Sequence, residues 1–226
     1  ELSSIFDNIV LENKKKDFFK IGKKSQQYTI LEVFTRNNGK ITENIILEEF
    51  AEDFIKSLPN DLEYIYDNME LKEKTSGYRY AYNLPKQYEF EECIRSFFAL
   101  SLEVSYLLVQ RDRIAASLKM QNLRKELLRM VDRYIINKFS KTKNSGLDYE
   151  NISSVLETEY RDLAFETFSS SEILEIYHSL FKSCQLFRKL GLIMAHNLKF
   201  NYLKREDVEV LKILRENYKK IESLIY

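Results

Sequence analysis

The chain begins with short apolar runs separated by turn signals and passes, beyond Pro85, into long stretches of helical period. In the first part, Tyr28, Ile30, Leu31 and Phe34 suggest a short helix that ends in Asn37-Asn38-Gly39, a strong turn signal. Thr42 is placed to cap a second helix carrying Ile45, Ile46, Phe50 and Phe54. Pro59, Asn60 and Asp61 introduce a third with Leu62, Ile65, Tyr66 and Met69. The period then changes to two. Tyr78, Tyr80, Tyr82 and Leu84 alternate with Arg79, Ala81 and Asn83, and Ser76-Gly77 would turn this strand back on residues 69–74 as a β-hairpin.

The second part reads as helix nearly throughout. Residues 87–139 predict one very long helix or two broken near Gln110. From Arg111 onward one face holds Arg111, Ala115, Lys119, Asn122, Glu126, Arg129 and Arg133, with Leu123, Leu127, Met130, Val131, Tyr134 and Ile135 opposite. An acidic helix follows, with Leu156, Tyr160, Leu163 and Phe165 facing inward. Ser169 with Glu172 forms a capping-box signature for a helix through Leu180 and Phe187 to about Leu190, where Gly191 suits a left-handed C-terminal cap. A last helix carries Leu211, Leu214, Tyr218, Ile221 and Ile225 on one side.

The expected fold is therefore mainly α: an N-terminal winged-helix-like α+β domain, residues 1–85, followed by a bundle of long helices, residues 86–226. Three short helices and a hairpin resemble, in element order, the winged helix-turn-helix family over about 60 residues. The stretch from Ile114 to Lys189, a basic helix followed by an acidic one, also resembles the helical domain of archaeal GINS replication scaffolds. Composition agrees with a helical, well-packed chain: 226 residues contain only five Gly and two Pro, and none of either type falls between residues 86 and 145.

Charge changes the picture. Lys plus Arg and Asp plus Glu are equal at 35 each, yet they come in blocks. Residues 14–40 hold eight basic and two acidic side chains, residues 41–70 one and nine, residues 111–143 ten and three, and residues 147–176 one and eight. Such segregation creates local fields that a zero sum conceals. The basic helix face supplies the candidate polyanion contacts Arg111, Lys119, Arg129 and Arg133, and the hairpin adds Lys72, Lys74 and Arg79. The alternative reading of the same face is a solvated surface paired with the neighbouring acidic blocks. The third helix of the winged-helix order carries Asp61, Glu63 and Asp67 with no Lys or Arg, which sets it against a duplex. Tyr78, Tyr80 and Tyr82, on one strand face, are candidate partner-binding aromatics.

Catalytic signatures are sparse. Arg188 and His196 invite comparison with the helical HEPN ribonucleases, in which His follows Arg by four to six residues; here seven intervene. There is no GxxxxGK[ST], GxGxxG or GxSxG, and the carboxylates lack metal spacing, so neither a metal nor a cofactor is expected. Cys93 and Cys184 lie among apolar residues without a CxxC, which suggests buried free thiols in a reducing, cytoplasmic setting. The longest apolar run, residues 97–109, is too short to span a bilayer.

The expected function is non-catalytic: an interaction or assembly subunit, not an enzyme, docking protein partners or itself in a multi-component complex, for which one handling nucleic acid is a candidate. The alternatives are a DNA-binding winged-helix regulator that dimerises through its helices, with DNA or RNA on the basic face, and a HEPN-like ribonuclease.

Overall fold

Tyr28, Ile30, Leu31 and Phe34 lie in a strand and not in the expected helix. The computed structural model describes residues 9–21, 24–36, 39–57, 67–75, 84–140, 143, 145, 149, 151–168 and 171–225. Its contacts divide the chain into two units, residues 1–81 and 82–226.

In the first unit, β1 (Ile9–Ile21), β2 (Lys24–Thr35) and β3 (Gly39–Ile45) form an antiparallel sheet in the order β1-β2-β3. The physical reason is the alternation of β2. Tyr28, Ile30, Glu32 and Phe34 share one face and Thr29, Leu31, Val33 and Thr35 the other, with β-branched residues on both. An apolar run this short satisfies either period, and cross-strand pairing decides between them. Val33 is fully buried. On the other face, Phe19 and Tyr28 meet Phe54 with ring centroids 5.1 and 5.0 Å away.

Thr42 is therefore a strand residue opposite Glu32 and caps no helix. Helix begins only after β3, as a 3-10 turn Glu48–Phe50 running into α1 (Ala51–Ser57), so of the four apolar residues assigned to the second helix Phe54 alone lies in α1. Residues 71–74 form a short helix, α2 (Leu71–Lys74), where a hairpin strand was expected. Asp67 holds its first turn by accepting the Leu71 and Lys72 amides at 2.9 and 2.7 Å. Most of the expected third helix and the strand with Tyr78, Arg79, Tyr80 and Tyr82 lie outside the described residues. A three-stranded sheet in place of the first helices removes the winged-helix order.

The second unit is helical. α3 (Gln87–Val109) starts after Pro85 with a capping box, in which the Lys86 amide donates to the Glu89 carboxylate at 2.7 Å. It ends at Gln110, and Arg111 turns the chain with φ 62°. Asp112 then caps α4 (Arg113–Lys138) by accepting the Ala115 amide at 3.0 Å. Short helices α5 (Ile152–Val155) and α6 (Thr158–Phe165) lead to α7 (Ile173–Leu198) and α8 (Lys204–Ile225).

Phe90, Phe97, Leu123, Met130, Tyr177 and Phe187 lie in one core, and Phe97 stacks on Phe187 at 3.8 Å. α3 packs on α4 and α8, and α4 on α7, whereas the backbones of α7 and α8 scarcely approach. The bundle is thus closed on three sides and parted on the fourth.

Two local expectations change. Gly191 caps nothing. It lies inside α7 because the Tyr202 ring sits over it, 3.1 Å from where a Cβ would be, and the helix runs on to a left-handed Lys199. Phe165 faces outward at 59% exposure, while Leu156 and Leu163 are buried as expected. Cys93 and Cys184 are buried free thiols. Among the described residues no helix is long and apolar enough to cross a membrane.

Candidate functional site

The parting between α7 and α8 is built by two facing stripes. Phe181, Gln185, Arg188 and Leu192 recur on α7 at spacings of four, three and four, and Leu211, Arg215, Tyr218 and Glu222 do the same on α8. These spacings place each set on one helix face. The stripes line two neighbouring open clefts of about 390 and 460 Å³ that share Phe181 and Arg215. Each is large enough to hold a small molecule. The floor is aromatic: Phe181 meets Tyr218 edge-on at 5.7 Å, and Tyr177 lies beneath both.

The rim is cationic. Buried Asp207 accepts the Nε hydrogen of Arg188 at 2.8 Å and holds the guanidinium at the α7 side. Desolvation works against the charged guanidinium, but the Asp207 hydrogen bond and charge outweigh it and raise its pKa. Lys189 pairs with Glu159 of α6. Arg215 and Lys219 project from α8 and form no ion pair among the described residues. Behind the floor lies a polar triad. Ser105 and Tyr177 hydroxyls meet at 2.5 Å, and the buried Asn217 amide donates to Ser105 at 2.9 Å.

Apart from Arg188, the residues singled out from sequence fall elsewhere. Lys119 pairs with Glu103 of α3 at 2.5 Å, and Arg129 with Glu126 of its own helix at 3.5 Å. Arg133 donates to the Glu89 carbonyl at 3.1 Å, and burial pulls its pKa below the usual value. Arg111 lines a separate cavity of about 520 Å³ with Glu172, Glu175 and Ile221. Lys72 and Lys74 are on α2, where Lys74 donates to the Met69 carbonyl at 2.7 Å. Arg79, Tyr78, Tyr80 and Tyr82 lie outside the described residues. Arg188 and His196 share one continuous helix, but seven intervening residues rotate them about 80° apart.

Sequence reasoning missed the α7–α8 parting although both stripes were legible. Leu211 and Tyr218 read as one side of the last helix, and nothing in either helix alone marks the face it shares with the other.

A family model described as streptomycin adenylyltransferase matches residues 25–217, from β2 to α8. The chain belongs to the streptomycin adenylyltransferase family. A solved aminoglycoside 6-adenyltransferase from Bacillus subtilis shares the fold, with a TM-score of 0.57 at 20% identity over 96% of this chain and 81% of that one. No curated protein matches the chain.

Membership of an adenylyltransferase family overturns the expected non-catalytic docking subunit, and with it the reading that the chain is not an enzyme. The DNA-binding regulator and the ribonuclease fall with it. The physical reason for the error is that the usual loop motifs were absent, and absence of a phosphate-cradling loop does not exclude phosphoryl chemistry on another fold.

Adenylyl transfer draws on a nucleoside triphosphate whose phosphates travel with a hard divalent cation held by carboxylate oxygens. Among the described residues no group of three or more His, Cys, Asp or Glu is arranged to hold a metal ion. Glu32, the buried carboxylate of the sheet, is already engaged by Asn13 and Lys15, each at 2.9 Å. The described side chains therefore do not supply the donor set.

Proposed function

We propose that this member of the streptomycin adenylyltransferase family transfers an adenylyl group from a nucleoside triphosphate to a hydroxyl of a small molecule. The observation that carries the reading is the span of the family match, which takes in β2 and β3 of the first unit and the second unit from α3 into α8. In such a transfer the acceptor oxygen bonds to the α-phosphorus, the bond from that phosphorus to pyrophosphate breaks, and the hydroxyl proton passes to a base. Positioning of two substrates and stabilisation of phosphate charge then supply most of the rate.

Streptomycin, the acceptor in the family's description, is the first compound to test. The protein is incubated with Mg²⁺, ATP labelled at the α-phosphate and a panel of aminoglycosides. Label in one acceptor, matched mole for mole by pyrophosphate, is expected. If no acceptor gains label and no pyrophosphate appears, the reading fails.

A further inference from the structure

We propose that residues 151–168, carrying α5 and α6, form a strap across α4 and α7 that opens as a unit of its own, and that ionic strength sets whether it stays shut. The proposal rests on the contacts of this segment and is independent of the transfer reading.

Little apolar burial holds the strap. Leu156, Leu163 and Thr167 are its only buried residues, whereas α7 buries side chains along its whole length. With four residues in α5 and eight in α6, neither helix is long enough to persist alone. Two leucines return little against the entropy of ordering such a segment.

Charge tips the balance. Toward α4, Glu157 accepts the Tyr134 hydroxyl at 2.6 Å and pairs with Lys138. Arg124 donates through Nε and Nη2 to the Thr167 carbonyl at 3.0 and 2.8 Å, and its guanidinium lies 4.7 Å from the Phe168 ring centre. Toward α7, Glu159 pairs with Lys189 and Glu166 with Lys182. The basic stretch 111–143 and the acidic stretch 147–176 therefore meet at this seam. Every side chain in the three Lys–Glu pairs is at least a third exposed, so dissolved salt screens them all and leaves the buried core contacts of α3, α4 and α7 in place. A segment with few buried contacts opens at a lower free energy than the core it covers. Lys189 also lines the smaller α7–α8 cleft, so opening the strap releases a cation at the rim of that cleft.

Hydrogen exchange of the full chain, read by mass spectrometry, tests this. Between about 0.1 and about 1 M NaCl the Debye length falls from about 10 to about 3 Å, and amides of residues 151–168 are expected to exchange about fivefold faster relative to those of α3 and α7. Lys182→Gln with Lys189→Gln, both at partly exposed positions, is expected to raise exchange of the strap at the lower salt and to blunt its response to more. Lys212→Gln, which removes an exposed cation of α8 outside these pairs, is expected to leave the strap as in the parent.

A relative change below about twofold in the parent overturns the proposal. So does a rise shared equally by α3, α4 and α7, because the segment would then open only with the whole bundle. A double variant that exchanges like the parent at both salts overturns it too, as does a Lys212 variant as fast as the double one, since loss of charge anywhere would then suffice.

Discussion

At the scale of single residues, a few buried atoms hold chemistry that exposed ones do not. Burial pushes the thiols of Cys93 and Cys184 up to about 12, and Tyr177 likewise to about 12 against the opposing hydrogen bond from Ser105. Folded values above the unfolded ones mean that the native state holds these protons more tightly. The resulting stability is complete below the ordinary thiol value of 9.0 and is lost as pH rises through about 12. Thermal melts should therefore fall steeply across that alkaline window, and Cys184→Ala should flatten the decline; an unchanged profile in the variant would refute the assignment. Gly191 makes a second case. With Tyr202 3.1 Å from any added Cβ, Gly191→Val should cost about 1–3 kcal/mol in a urea titration. Tyr202→Ala, which removes the obstacle, should shrink that difference, whereas a helix-cap role would leave it intact.

At the scale of elements, legibility followed the number of periods available. α3 and α4 each run more than six turns, so their stripes and the break at Gln110 could be read directly. β2 offered only twelve residues, apolar on both faces, and its identity rests on β1 and β3, partners that no local window reveals. Gly191 misled for a similar reason: a glycine after a helical run signals a cap unless a distant ring needs the space. The candidate site was least legible, because a cavity arises where two helix backbones stay apart, and each stripe alone resembles an ordinary amphipathic edge. The triad of Ser105, Tyr177 and Asn217 ties α3, α7 and α8 behind that cavity. Tyr177→Phe should cost about 1–2 kcal/mol, since Ser105 keeps Asn217 as a partner. Asn217→Ala should cost a similar amount, and the double variant less than the sum. Additive losses would show that the three do not act as a unit.

At the scale of the whole molecule, each of the two units has its own buried residues, and the second holds a continuous core from Phe90 to Ile221. A fragment of residues 82–226 should fold alone and melt cooperatively; a gradual, featureless melt would refute its independence. The sheet of the first unit has a different kind of consequence, one that concerns encounters between molecules. β1 is a thirteen-residue strand that pairs only with β2 among the described residues, and Val10, Leu11 and Phe18 are exposed along it. A long strand with apolar residues toward both ends and an edge unpaired among the described residues is a template for aggregation, and Lys14, Lys15 and Lys16 interrupt it with charge on both faces. Lys15 is tied to Glu32, and Lys14 and Lys16 are placed where a gatekeeping charge would stand. Replacing Lys14 and Lys16 by Thr should leave the fold intact and speed the growth of light scattering during refolding; an unchanged rate would show that these charges do not keep copies of the chain apart.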